Sequence, residues 1–175
     1  MVELSRLFSE YIVLAKALQE KYKDRITVLV GMETESIYPE LLEVAQELRK
    51  THRLDYIVGS VHHVHATPVD FDEAMLATAE NLSGGTEFLF REYFDAQFSM
   101  LQQLRPEVVG HFDLIRLFRP EFELSDEVWM RIRRNVDLVV EYGGLFEVNS
   151  RAYKKGLKWA YPMKDILKVC FCGLL

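Results

Sequence analysis

Asp55-Tyr-Ile-Val-Gly-Ser-Val-His-His63 is the stretch that decides the fold. Tyr56-Ile-Val58 reads as a short strand buried on both faces. It runs through Gly59 straight into a histidine pair. The same order of residue types recurs three more times. Ile26-Thr-Val-Leu-Val30, β-branched and apolar, runs into Gly31-Met-Glu33; Val108-Val109 runs into Gly110-His111-Phe-Asp113; Leu145-Phe146-Glu147-Val148 reads as a fourth strand and carries Glu147 and then Asn149.

Helical patterns fill the intervals. Residues 3–22 place Leu4, Leu7, Phe8, Tyr11, Ala15 and Leu18 on one face. Pro39 falls in the first turn of the next helix, where a missing N–H costs nothing, and Leu41, Leu42, Ala45 and Leu48 form its inner stripe. Residues 63–70, with Pro68, read as a loop, and 71–81 as a short helix. Thr86 is the expected cap of a longer helix aligning Phe90, Phe94, Phe98, Leu101 and Leu104, stopped by Arg105-Pro106. Ser125 before Asp126 and Glu127 marks another start, with Val128, Ile132, Val136 and Val139 inward and Gly143-Gly144 at the end. A last helix starts near Pro162.

Strand and helix alternating four times predict an α/β fold: a parallel sheet with crossover helices. An open sheet and a barrel both fit that order, although four strands are too few to close a barrel, for which about eight are typical. The 175 residues suit a single domain spanning 1–175, and no linker or repeat divides them. With 49% apolar and 27% charged residues the balance is that of an ordinary globular chain. A net charge of -6 gives no electrostatic footprint for nucleic acid or an anionic membrane. No apolar run reaches the roughly 18 residues that span a bilayer, and the N-terminus has no signal-peptide pattern. The expectation is a soluble, cytoplasmic protein. Cys170 and Cys172 are too close for an easy disulfide and have no second ligand pair for zinc, which suits a reducing compartment.

In parallel α/β folds the carboxyl ends of the strands face one crevice, and sites are built there. Glu33, His62 and His111, together with Glu147 and Asn149, are therefore expected to converge. Carboxylate plus imidazole is a donor set for Zn, Mn or Fe. A metal so held polarises a phosphoryl oxygen and generates hydroxide near neutral pH. Each residue alone has a plainer reading: Glu33 as a solvated loop residue, the 62–65 histidines as a polar loop, His111 as a hydrogen-bonded core histidine, Glu147 and Asn149 as strand-end caps. It is their matched placement that favours a site. No Gly-x-Ser-x-Gly elbow, phosphate-binding glycine loop or dinucleotide fingerprint is present.

Gly31-Met-Glu-Thr-Glu35, Asp55-Tyr-Ile-Val-Gly-Ser-Val-His-His-Val64 with Pro68-Val-Asp-Phe-Asp72, Val109-Gly-His-Phe-Asp-Leu114, and Glu147-Val-Asn-Ser150 with Lys154-Lys155 and Tyr161-Pro162 resemble, in order, the fungal-type histidinol-phosphatases of the polymerase-and-histidinol-phosphatase (PHP) superfamily. The resemblance implies a distorted, TIM-like seven-stranded β/α barrel, here partial. It implies a cluster of two or three divalent metals (Zn, Mn or Fe) that activates water against L-histidinol phosphate, a small-molecule phosphate ester, in histidine biosynthesis. By motif, Glu33, His62 and His111 match metal ligands of that family, with no catalytic group required beyond the metal. Arg116, Arg151 and Lys154 are candidates for the phosphate; Lys154 stands where relatives often carry Arg, a point charge in place of a bidentate fork. His63 and Asp113 are expected beside the ligands, Asp113 orienting His111. The resemblance also places the family's opening His-x-His strand and closing Asp-x-His strand outside this chain, with a cluster left incomplete and open sheet edges that invite self-association. A non-catalytic, metal-binding remnant of such an enzyme is the competing expectation. A nucleic-acid-acting relative is disfavoured by the acidic charge.

Overall fold

The structure, a computed structural model, describes residues 2–34 and 36–172. Glu35 and the side chains of Leu4 and Cys172, all part of the sequence reading, lie outside the described set. The sheet is parallel and follows chain order. Strands β1 (Gly31–Glu33), β2 (Tyr56–Gly59), β5 (Val108–Val109) and β6 (Leu145–Phe146) lie side by side in the order β1-β2-β5-β6. Registers pair Met32 with Ile57, Gly59 with Val109, and Val109 with Phe146. Among the described residues β1 and β6 do not pair, so the sheet does not close. The parallel α/β expectation holds, in its open form.

Helices α1 (Val2–Tyr22) and α2 (Pro39–His52) flank β1. Then come α3 (Glu73–Ser83), α4 (Thr86–Leu104), α5 (Asp126–Tyr142), the short α6 (Arg151–Lys154) and α7 (Lys164–Cys172). Local chemistry fixes their ends. Asp72 caps α3 by accepting from Met75 N at 2.7 Å, and Ser125 caps α5 by accepting from Val128 N. Gly85 rather than Thr86 is the N-cap of α4.

The core lies between the sheet and α3, α4, α5 and α7. Val128, Ile132, Val136 and Val139 of α5 are fully buried against Phe90, Phe94 and Leu101 of α4. Phe98 lies at the surface side of that helix, under the Arg134 guanidinium at 4.0 Å. A buried polar chain crosses this core: Asn135 Nδ2 donates to Gln97 Oε1 (3.0 Å) and Phe94 O (2.8 Å), and Gln97 Nε2 donates to Phe112 O (2.9 Å). Each group in it is satisfied, so the backbone after β5 is anchored to α4. A second, much smaller cluster joins Ile12 of α1 to Val30 and Leu54.

Three expectations need correction. The first strand lies at 31–33, not 26–30. Pairing starts only where β2 runs alongside, and Ile26 and Leu29, with no strand beside them, are each 61% exposed. The run 63–70 is not a plain loop. It holds an antiparallel hairpin of β3 (His63–Val64) and β4 (Thr67–Pro68), turning on His65 and Ala66, both at positive φ. The predicted apolar face of α1 holds in part: Phe8 and Ala15 pack beside the buried Ile12, whereas Leu7, Tyr11 and Leu18 are exposed. Among the described residues no helix is long and apolar enough to cross a membrane.

Candidate functional site

Each strand of the sheet ends in a polar side chain at the same edge. Glu33 is the last residue of β1. His62 follows β2 by three residues, and His111 follows β5 by two. Because the strands are parallel, these positions meet. One donor atom from each of the three lies within 4.8 Å of the others. His111 Nε2 is 3.1 Å from Glu33 Oε1 and 3.1 Å from His62 Nε2, and His62 Nε2 is 3.5 Å from Glu33 Oε1. The two imidazole rings lie with centroids 4.8 Å apart.

The packing beneath is close. Gly110 precedes His111 where β5 crosses β2. A Cβ there would stand 2.7 Å from Ser60 Oγ and 2.9 Å from Val58 Cγ1, so only glycine lets the strands bring His62 and His111 together. Ser60, which the sequence reading passed over, donates from Oγ to Glu33 Oε1 at 2.7 Å. Its position two residues before His62 was the available signal. The hydrogen bond from the His111 imidazole holds the Glu33 carboxyl down to about 2; half-burial opposes this, and Ser60 reinforces it. Glu33 is thus an anion wedged between two imidazoles. Two nitrogens and a carboxylate oxygen aimed at one point form a donor set that suits a divalent metal such as Zn, Mn or Fe.

The remaining candidates are placed differently. His63 opens β3 opposite Pro68 and is not part of the three-donor group. Asp113 was expected to orient His111, but the structure gives it another partner. Its Oδ2 accepts from Met163 N at 2.9 Å, and its Oδ1 is buried without a hydrogen bond to any described residue. The carboxylate that reaches His111 besides Glu33 is Glu147, whose Oε2 accepts from His111 N at 2.8 Å. Arg116 is only 6% exposed, and its Nη2 donates to Pro120 O at 2.7 Å. With Asp113, Tyr161 and Trp159 it lines a cavity of about 210 Å³. Arg151 and Lys154 are exposed on α6, just beyond β6. None of these three cations hydrogen-bonds to the triad. A larger open groove of about 1090 Å³ runs over the outer side of α4 and α5, past Phe98, Trp129 and Arg134, and includes no triad residue.

Burial pushes the Asp113 carboxyl from its ordinary 3.8 up to about 6, against the pull of the Met163 amide and the Arg116 guanidinium. A folded value above the unfolded one means the native state binds this proton more tightly. The stability it contributes is present below the unfolded value and is lost as pH rises towards 6. A carbon-detected NMR titration is expected to place the Asp113 midpoint near 6. A midpoint near 4 would show that water reaches the carboxyl.

Comparisons with known proteins give the family of the chain. The PHP domain family model matches residues 7–151. A probable histidinol-phosphatase of Schizosaccharomyces pombe is 43% identical over 173 residues, covering 95% of this chain and 56% of that protein. The histidinol-phosphatase of Saccharomyces cerevisiae is 30% identical over 206 residues, covering 99% and 62%. A probable histidinol-phosphatase of Deinococcus radiodurans is 25% identical over 159 residues, covering 91% and 58%. The chain therefore spans somewhat over half the length of the curated relatives it matches.

Proposed function

The chain belongs to the PHP domain family, and from that membership we propose that it acts as a metal-dependent phosphoric-monoester hydrolase, splitting L-histidinol phosphate into L-histidinol and phosphate in histidine biosynthesis. The observation that carries the reading is the meeting of Glu33, His62 and His111 at the carboxyl ends of three adjacent parallel strands. The substrate is taken from the relatives, which are histidinol-phosphatases or probable ones.

In this reading Glu33, His62 and His111 hold a divalent ion. A bound ion supplies Lewis acidity: it polarises a phosphoryl oxygen and brings the pKa of water to near 7. The chain's own groups do the rest. Ser60 keeps a Glu33 oxygen turned towards the imidazoles by hydrogen bonding to it. Glu33 stays ionised far below neutral pH, so its negative charge is always available to offset the ion. We assign phosphate contact to Arg151 and Lys154, which are exposed beyond β6 at the same end of the sheet. Arg116 serves the fold here, since its guanidinium is buried and tied to Pro120 O. Only a single ion is supported by the three donors on hand; a multinuclear cluster needs more ligands than these.

The test is phosphate release from L-histidinol phosphate by the purified chain with added Mn or Zn. Release above the metal-only blank, abolished by chelator and by Glu33→Gln, is the expected result. Zinc bound without phosphate release would sink the hydrolytic reading and leave a metal-binding protein.

A further inference from the structure

Glu147 has no role in the chemistry above, yet it lies against the triad. Three observations bear on it. First, a metal-binding imidazole is ordinarily oriented through its second nitrogen, by a carboxylate or carbonyl. His111 lacks that brace among the described residues: its Nδ1 is buried and makes no hydrogen bond to any of them. Second, His111 sits at φ +20, a backbone conformation a side-chain-bearing residue holds only when its surroundings force it. Third, besides Glu33 at the ring, a second carboxylate touches His111 and binds its backbone: Glu147 Oε2 accepts from His111 N at 2.8 Å.

Glu147 is itself held in place. Its N–H donates to Val109 O at 3.0 Å, continuing the line of β6 past β5. Asn149 Nδ2 donates to its other oxygen, Oε1, at 3.1 Å. Asn149 is locked in turn by two backbone hydrogen bonds with Tyr161, of 2.8 and 3.1 Å.

We propose that Glu147 is a positioning residue: its carboxylate, braced by Asn149, grips the backbone amide of His111 and so sets the imidazole among the donors from the main chain rather than from the ring. The functional consequence rests on the metal-site reading above; the geometric claim does not. A bare strand-end hydrogen bond would leave the His111 ring indifferent to Glu147.

The geometry supplies its own control. Glu147→Gln sets an amide NH2 against the Asn149 NH2, two donors face to face. Adding Asn149→Asp restores one donor facing one acceptor. In the metal-free chain, NMR is expected to show ring-to-ring contacts between His62 and His111 that vanish in Glu147→Ala, weaken in Glu147→Gln and return in the double variant. Zinc affinity, measured by competition with a chromophoric chelator, is expected to fall about ten-fold or more in Glu147→Ala and to follow the same order. The proposal is overturned if Glu147→Ala keeps the ring contacts, or if the double variant fails to regain what Glu147→Gln loses. Should Glu147→Ala not fold, the two isosteric variants carry the test. Should the parent chain bind no zinc, the metal-site reading fails, and the ring contacts still decide the role of Glu147.

Discussion

Replacing His111 with glycine is expected to weaken zinc binding by at least about 100-fold. Loss of a group that merely orients a ligand costs 10–100-fold, so loss of the ligand itself starts at the top of that range; 100-fold is about 2.7 kcal/mol. Glycine is the right replacement. The backbone here is at φ +20, where alanine would add strain and blur the result, whereas glycine removes the ring and accepts the conformation. His62 and Glu33 would remain, 3.5 Å apart, as a two-donor site. Isothermal titration of both proteins with zinc measures the change. Equal affinity in the two would show that the ion, if bound at all, sits elsewhere.

Phe112→Ala is expected to cost about 3–5 kcal/mol of folding stability, the usual range for emptying a buried phenylalanine site. That is a large part of the roughly 5–15 kcal/mol that holds a domain together. Phe112 is fully buried, with Phe94 and Phe146 both at 5.7 Å between ring centroids. It lies between His111 and Asp113 in sequence, so the void opens directly beneath the site. Phe71→Ala is the matched control: that ring is 75% exposed, and its loss should change stability by less than about 0.5 kcal/mol. Urea denaturation followed by circular dichroism compares them. A midpoint for Phe112→Ala near that of the parent would mean the core collapses around the gap.

What the sequence made legible is what depends on short-range pattern. The 3.6-residue period of α5 gave its buried face without error, because Val128, Ile132, Val136 and Val139 each meet the core. Parallel order put polar residues after apolar runs at one edge, and this suffices to gather Glu33, His62 and His111. What was illegible depends on partners distant in the chain. The run 26–30 is as apolar as any strand, but whether it pairs is decided by where β2 starts, 25 residues on, with Asp55 Oδ2 accepting from Val30 N. The partner of Asp113 is Met163, 50 residues away. The hairpin between β3 and β4 turns on His65 and Ala66, both at positive φ, without the Asn or Gly that marks such turns in a sequence. His65 is held there by its ring, 2.9 Å from Glu92 on α4, a contact that no local pattern announces.

The division of the interior into two unequal clusters has a bearing on how the site assembles. His62 and His111 rise from β2 and β5, which border the large cluster, while β1 carries Glu33 next to the small one formed by Ile12, Val30 and Leu54. α1 contributes a single buried residue, Ile12, to that small cluster, whereas β1 pairs with β2 at three positions, so lifting α1 away takes less free energy than global unfolding. Molecules in that opened form keep the two imidazoles in place and leave the carboxylate on a strand no longer backed by α1. An ion that needs all three donors held in place then sees only the closed fraction of the population, and its apparent affinity is scaled down by that fraction. Binding in turn draws the opened molecules shut, which makes occupancy of the site and the docking of α1 a single linked equilibrium.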